Sequence, residues 1–220
     1  MADSDKVSGR FSASDSDVTF RSCDRILFQV HRNNLKVVSE GFAPPDGTGT
    51  SQREIVPLTE SGETLELLFQ FIYPHKYPDL KDVEFTQLAK LAEAAEKYQV
   101  YSAMAVCNFK MRDAYQEHPH EVMMYAMTHG YADLMDKSER TALDVSQTVA
   151  FECFSLQVYI AWTRYYFQWA DLLANLTRSL DGIPLSSNST DEVLPAVQIT
   201  YGEVERWDNE RANPKDEEAQ

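Results

Sequence analysis

The side chains best suited to chemistry in this chain are five histidines and three cysteines, and their spacing decides what they can do. His118 and His120 straddle Pro119, and Glu121 follows directly. A protease-type zinc helix needs two histidines four residues apart with a glutamate after the first. His120-Glu121 supplies the first half, but Met124 stands where the second histidine is required, so that motif is excluded. Cys23, Cys107 and Cys153 form no Cys-x-x-Cys, which removes zinc knuckles and a disulfide framework. None has an adjacent histidine to activate its thiol, and all three read as core residues. There is no Gly-x-Ser-x-Gly elbow, and Gly47-Thr-Gly49 lacks the third glycine and the Gly-Lys-Ser/Thr of a phosphate loop. Glu93 and Glu96 fall on a charge-rich helical segment and read as a hydrated face. No catalytic residue, metal ligand or cofactor site is assigned, so an enzyme is not expected. His31-Arg32, set between a strand-like and a helix-like alternation, stays open at this point as a ligand, a reactive pair or a corner of the architecture.

The chain around these residues is acidic, with 35 Asp and Glu against 20 Lys and Arg and a formal charge of −15. Such a surface repels phosphate backbones, so nucleic acid is not an expected partner. The most apolar stretch, 153–173, is interrupted by Arg164 and Asp171. A spanning helix needs about 20 mostly apolar residues, so this reads as a packed helix and no membrane contact is expected. The first residues, MADSDKVSGRFSASDSD, have no apolar core of a secretory signal. Widely spaced thiols then point to the cytoplasm or the nucleus.

Four segments follow from composition and periodicity. Residues 1–16, Ser- and Asp-rich with Phe11 as the one large apolar side chain, are expected to be disordered. Residues 17–116 read as a mixed domain. Val18 and Phe20 alternate with polar neighbours, and Ile26, Phe28 and Val30 do the same after the turn Ser22-Cys-Asp-Arg25, so the two runs form a hairpin. Asn33-Asn34 offers capping chemistry for a helix whose inner face carries Leu35, Val38 and Phe42. A loop over 43–54 leads to the short strand Ile55–Leu58, with Pro57 favouring a sheet edge. Helices are predicted over 61–73, 83–100 and 103–115, the last with Val106, Cys107 and Phe109 inward. Residues 117–180 continue as an all-helical extension, broken near Gly130. Its Met123, Met124 and Met127 read as helix packing, with an adaptable docking surface as the alternative. Residues 181–220 form an acidic tail, expected to be largely disordered.

The order of these elements and four quoted fragments resemble the BTB/POZ domain family. Asp17-Val-Thr-Phe20 looks like the family's first core strand. The family's strand-to-helix signature is matched by Phe28-Gln-Val-His31-Arg32-Asn-Asn-Leu35, then Ser39 and Phe42. Leu68-Phe-Gln-Phe-Ile-Tyr73 before a proline resembles its helix end, and Leu88 to Val100, with Tyr98, its alanine-rich helix. Cys107 falls at the cysteine of the next one. The resemblance implies an α+β fold, a small mostly antiparallel sheet capped by helical hairpins and here followed by the helical extension. It also implies a non-enzymatic protein–protein interaction module, commonly a homodimer or higher homo-oligomer. In some members it implies a substrate adaptor for a cullin-type ubiquitin ligase. By position, Asp17 and Arg32 would face each other in a charged pocket near the dimer seam, and the His31 question becomes one of architecture.

Overall fold

A computed structural model of the chain describes residues 4–42 and 55–181. The loop expected over 43–54 and the acidic tail beyond 181 lie outside the described residues. Four strands, β1 (Lys6–Ser12), β2 (Val18–Arg21), β3 (Ile26–Val30) and β4 (Ile55–Pro57), form one sheet in the order β1-β3-β2-β4. β2 and β3 form the expected hairpin, antiparallel and with Phe20 opposite Phe28. The sheet is mixed rather than mostly antiparallel, because β1–β3 and β2–β4 are parallel. Each connection reverses the chain, so strands two apart in sequence run the same way, and here those are the neighbours.

β1 corrects the expectation of disorder over 1–16. Periodicity hides it because its inward residues, Ser8 and Phe11, are three apart rather than two or four. A register shift between Val7 and Ser12 absorbs the extra chain. The Ser8 hydroxyl accepts from the Arg10 and Phe11 amides, at 3.2 and 3.1 Å, that this irregularity releases. It donates in turn to Glu66 Oε2 at 2.6 Å. Phe11 then enters the aromatic core, edge-on to Phe69 with centroids 5.7 Å apart.

The helices are α1 (Arg32–Val38), α2 (Gly62–Gln70), α3 (Phe85–Lys97), α4 (Tyr101–Ala114), α5 (Pro119–His129), α6 (Ala132–Ala142), α7 (Gln147–Cys153) and α8 (Leu156–Asp181). α2 is capped by Ser61, whose hydroxyl accepts from the Thr64 amide at 3.3 Å. α1 is not: His31 occupies the cap position, and Asn33 and Asn34 lie inside the helix. Behind α1, Gly41 passes directly beneath Tyr98, where a Cβ would meet backbone atoms at 2.6 Å. This close approach lets Phe42 stack on Tyr98 at 4.3 Å. Pro119 opens α5 at its first turn, where a missing amide costs nothing. Gly130 ends it in the left-handed conformation at φ 76°. The aromatic-rich stretch resolves into two helices, α7 and α8.

The chain divides into two compact units, Met1–Cys153 and Phe154–Gln220. α5, α6 and α7, which follow the boundary expected at 116/117, fall in the first of these units. Val122, Tyr125, Ala126 and Leu134 are buried and continue its core. In the second unit α8 is the one helix among the described residues.

Candidate protein-interaction surface

The strand-to-helix corner is where the signature residues converge. Phe28 and Leu35 are buried, as are Ser39, Tyr98 and Cys107, while Phe42 and Tyr73 pack half-buried against the same core. The His31 amide donates to the Tyr73 hydroxyl at 3.2 Å, and His31 Nδ1 lies 3.0 Å from the same oxygen. Burial pushes the Tyr73 hydroxyl above the usual phenol range, so it stays protonated and able to donate. His31 Nε2 lies 3.3 Å from Asp15 Oδ1 on the solvent side. Both ring nitrogens and the backbone amide of this histidine are thus engaged in holding the corner.

Asp17 and Arg32 meet, but not as a carboxylate–guanidinium pair. Asp17 Oδ1 accepts from the Arg32 backbone amide at 2.7 Å, and Arg32 Nε reaches only the Asp17 carbonyl, at 3.4 Å. Arg32 opens α1, where the first amides have no partner within the helix. A carboxylate held at that end satisfies one of them and sits favourably in the helix dipole. Asp17 is therefore a cap supplied from β2's approach. This explains why Asn33 and Asn34 are not needed in that role.

The Ser39 hydroxyl donates to the Tyr98 carbonyl at 2.5 Å and pins the end of α1 to the α3–α4 junction. Tyr98 in turn donates to Glu60 Oε2 at 2.6 Å, and Lys97 Nζ lies 2.6 Å from Glu60 Oε1. Burial of Glu60 works against its charge. The Lys97 and Tyr98 hydrogen bonds outweigh it and hold the carboxyl below its ordinary value.

Two further features escaped the sequence reading. Glu96, expected on a hydrated face, is half-buried, and its Oε1 accepts from Tyr125 at 2.8 Å and Tyr131 at 2.6 Å. Burial and this carboxylate push the Tyr131 hydroxyl up to about 12 and Tyr125 higher still. Glu93 takes His129 Nε2 at 3.0 Å. Together they clasp α3 to α5 and to the start of α6. Burial likewise pushes the Cys107 thiol up to about 12, which makes it inert, whereas Cys23, read as core, is exposed. Cys23 lies in the turn between β2 and β3. Phe109, expected inward, is 63% exposed because Cys107 and Met111 take the inner face of α4.

These groups tie α1, α3, α4, α5 and the start of α6 into one frame. Among the described residues no group of three or more His, Cys, Asp and Glu could hold a metal ion. No helix among them is long and apolar enough to cross a membrane. The frame leaves β1 at the edge of the sheet, paired with β3 on one side alone. Beside that edge lies a notch of about 170 Å³ lined by Arg10, Phe11, Gln29, Gln70, Tyr73 and Lys76 among others. Two cations there stand out on a chain with a formal charge of −15.

The family model of the BTB/POZ domain matches residues 10–114. No curated protein matches the chain.

Proposed function

We propose, from the premise that residues 10–114 are a BTB/POZ domain, that this protein associates with copies of itself and that the assembly presents its helical extension to a protein partner. The domain is a protein–protein interaction module. The finer reading, a homodimer or higher homo-oligomer, is supported by the position of β1, an edge strand that pairs with β3 on one side alone. Backbone hydrogen bonding to another chain satisfies such an edge. The polar groups nearby are already committed to the corner, to the α1 cap and to the clasp, consistent with a scaffold that binds without catalysing. Light scattering of the full chain at tens of micromolar is expected to give at least twice the monomer mass. A strict monomer at that concentration would refute the reading. The narrower role, an adaptor for a cullin scaffold, is tested by co-elution with a cullin amino-terminal domain, and no complex at micromolar concentration would remove it. The place of action that goes with this reading is the cytoplasm or nucleus, checked by cell fractionation.

A further inference from the structure

α8 carries an apolar face that is exposed among the described residues. Leu156, Ile160 and Phe167 are 71, 54 and 62% exposed. With Thr163, Ala170 and Ala174 they recur at intervals of four and three residues, the spacing of a coiled-coil seam. The seam is graded. Its large side chains sit in the first half of the helix and its small ones in the second. A partner lying antiparallel can set the large Ile160 and Phe167 against small side chains of the second copy, Thr177 and Ala170, an arrangement that lets facing layers interdigitate.

Charge points the same way. Arg164 and Asp171 are both exposed, seven residues apart on one flank of the seam. In a parallel pair of identical helices this flank would not bring them together. In an antiparallel pair the same flank meets itself, and one register brings Arg164 of each copy to Asp171 of the other. That register also sets Phe167 beside Ala170 of the second copy and Thr163 beside Ala174. Its two-fold axis falls midway along Leu156–Asp181, so that all 26 residues overlap. Charge and length select this register independently of each other.

We infer that α8 is a second self-association surface, pairing antiparallel with α8 of another copy through Ile160, Thr163, Phe167, Ala170 and Ala174, with Arg164–Asp171 ion pairs across the seam. A helix of this length is roughly 39 Å long and about 10 Å across, giving on the order of 400 Å² per copy against about 800 Å² for a standard interface. The contact is weak alone and acts in an assembly already held by the BTB/POZ domain, so it rests on that reading. A two-fold pairing is compatible with an isologous dimer of the domain.

The test uses the full chain with Cys23 and Cys153 changed to serine. Thr163→Cys with Ala174→Cys should give a covalent dimer under mild oxidation. Thr163→Cys alone should not, because its two copies stand roughly 16 Å apart along the seam. Adding Arg164→Asp, or Asp171→Arg, should cut the yield about tenfold by placing like charges across both pairs. Combining the two should restore it, and no contact within one helix can do that across seven residues. No covalent dimer from the cysteine pair overturns the inference and leaves the face to a different chain. Cross-linking by Thr163→Cys alone overturns the antiparallel register. If light scattering shows the chain to be dimeric while the cysteine pair stays unlinked, this surface fails and the domain-level reading stands. If the chain is a monomer, both fall.

Discussion

Removing the Glu96 carboxylate tests whether the first extension helices are structurally part of the domain. Glu96 Oε1 accepts two tyrosine hydroxyls, at 2.8 and 2.6 Å, one from α5 and one from the residue that caps α6. A net hydrogen bond to a charged group stabilises by roughly 1.5–3 kcal/mol. Two such bonds set an upper bound, which relief of the carboxylate's own burial lowers. Tyr131 is also partly exposed, so its hydroxyl finds water once released. We therefore expect Glu96→Ala to cost about 2–3 kcal/mol, a fall of roughly 5–10 °C in melting temperature for a unit of this size. Glu93→Ala provides the contrast. It also loses one partner, His129 at 3.0 Å, but its side chain is 56% exposed, and such surface pairs contribute less than about 1 kcal/mol. Urea denaturation followed by far-UV circular dichroism measures both. The decisive arm repeats Glu96→Ala after Tyr125→Phe and Tyr131→Phe. With its donors gone the half-buried carboxylate becomes a liability, and removing it should then cost little or stabilise. If Glu96→Ala is as mild as Glu93→Ala, or costs the same with and without the tyrosine hydroxyls, the clasp is not what joins these helices to the domain.

Other outcomes follow from the same geometry. Asp17→Ala should lower stability by about 1 kcal/mol through loss of the α1 cap, while Arg32→Ala should stay within roughly 0.5 kcal/mol, because its side chain makes only the long 3.4 Å contact with the Asp17 carbonyl. Equal melting points for the two variants would sink the capping assignment. Glu60 is held below its ordinary value of 4.5 by Lys97 and Tyr98 against the opposing effect of burial. Its contribution is therefore complete above that value and lost as pH falls through its lowered folded pKa. Glu60→Gln should flatten the acid limb of the stability profile below about pH 4.5 and nowhere above it. Iodoacetamide at pH 8 should label exposed Cys23 first and leave buried Cys107, its thiol pushed up to about 12, unmodified until the chain unfolds. Peptide mapping that finds Cys107 alkylated in the native protein would contradict its burial.

The elements that could be read from residue types are those whose determinants lie within a few positions of one another. The β2–β3 hairpin announced itself by alternation, α2 by Ser61 and the stripe Leu65, Leu68 and Phe69, and α5 by Pro119 at its start and Gly130 at its end. β1 was illegible because its inward pair is three residues apart, and only Glu66, 58 positions away, shows why Ser8 belongs inside. The cap of α1 was misread for a similar reason. Two nearby asparagines offered the chemistry, but a carboxylate 15 residues upstream supplies it. Phe109 and Glu96 exchanged their expected environments, the aromatic outward and the carboxylate inward.

Local order thus decided the vocabulary: alternation, helical stripes, caps and the corner His31-Arg32 are short-range patterns that act through neighbouring backbone, and they sufficed to suggest a BTB/POZ module without an active site. Tertiary structure decided the allegiances. Whether a carboxylate is a hydrated surface group or the acceptor of two tyrosines depends on which helix packs over it, and burial, unlike periodicity, is a property of the partner surface as much as of the residue. The same holds for the division of the helical extension. No local signal separates α7 from α8 as members of different units, because that boundary is drawn by which helices share a core.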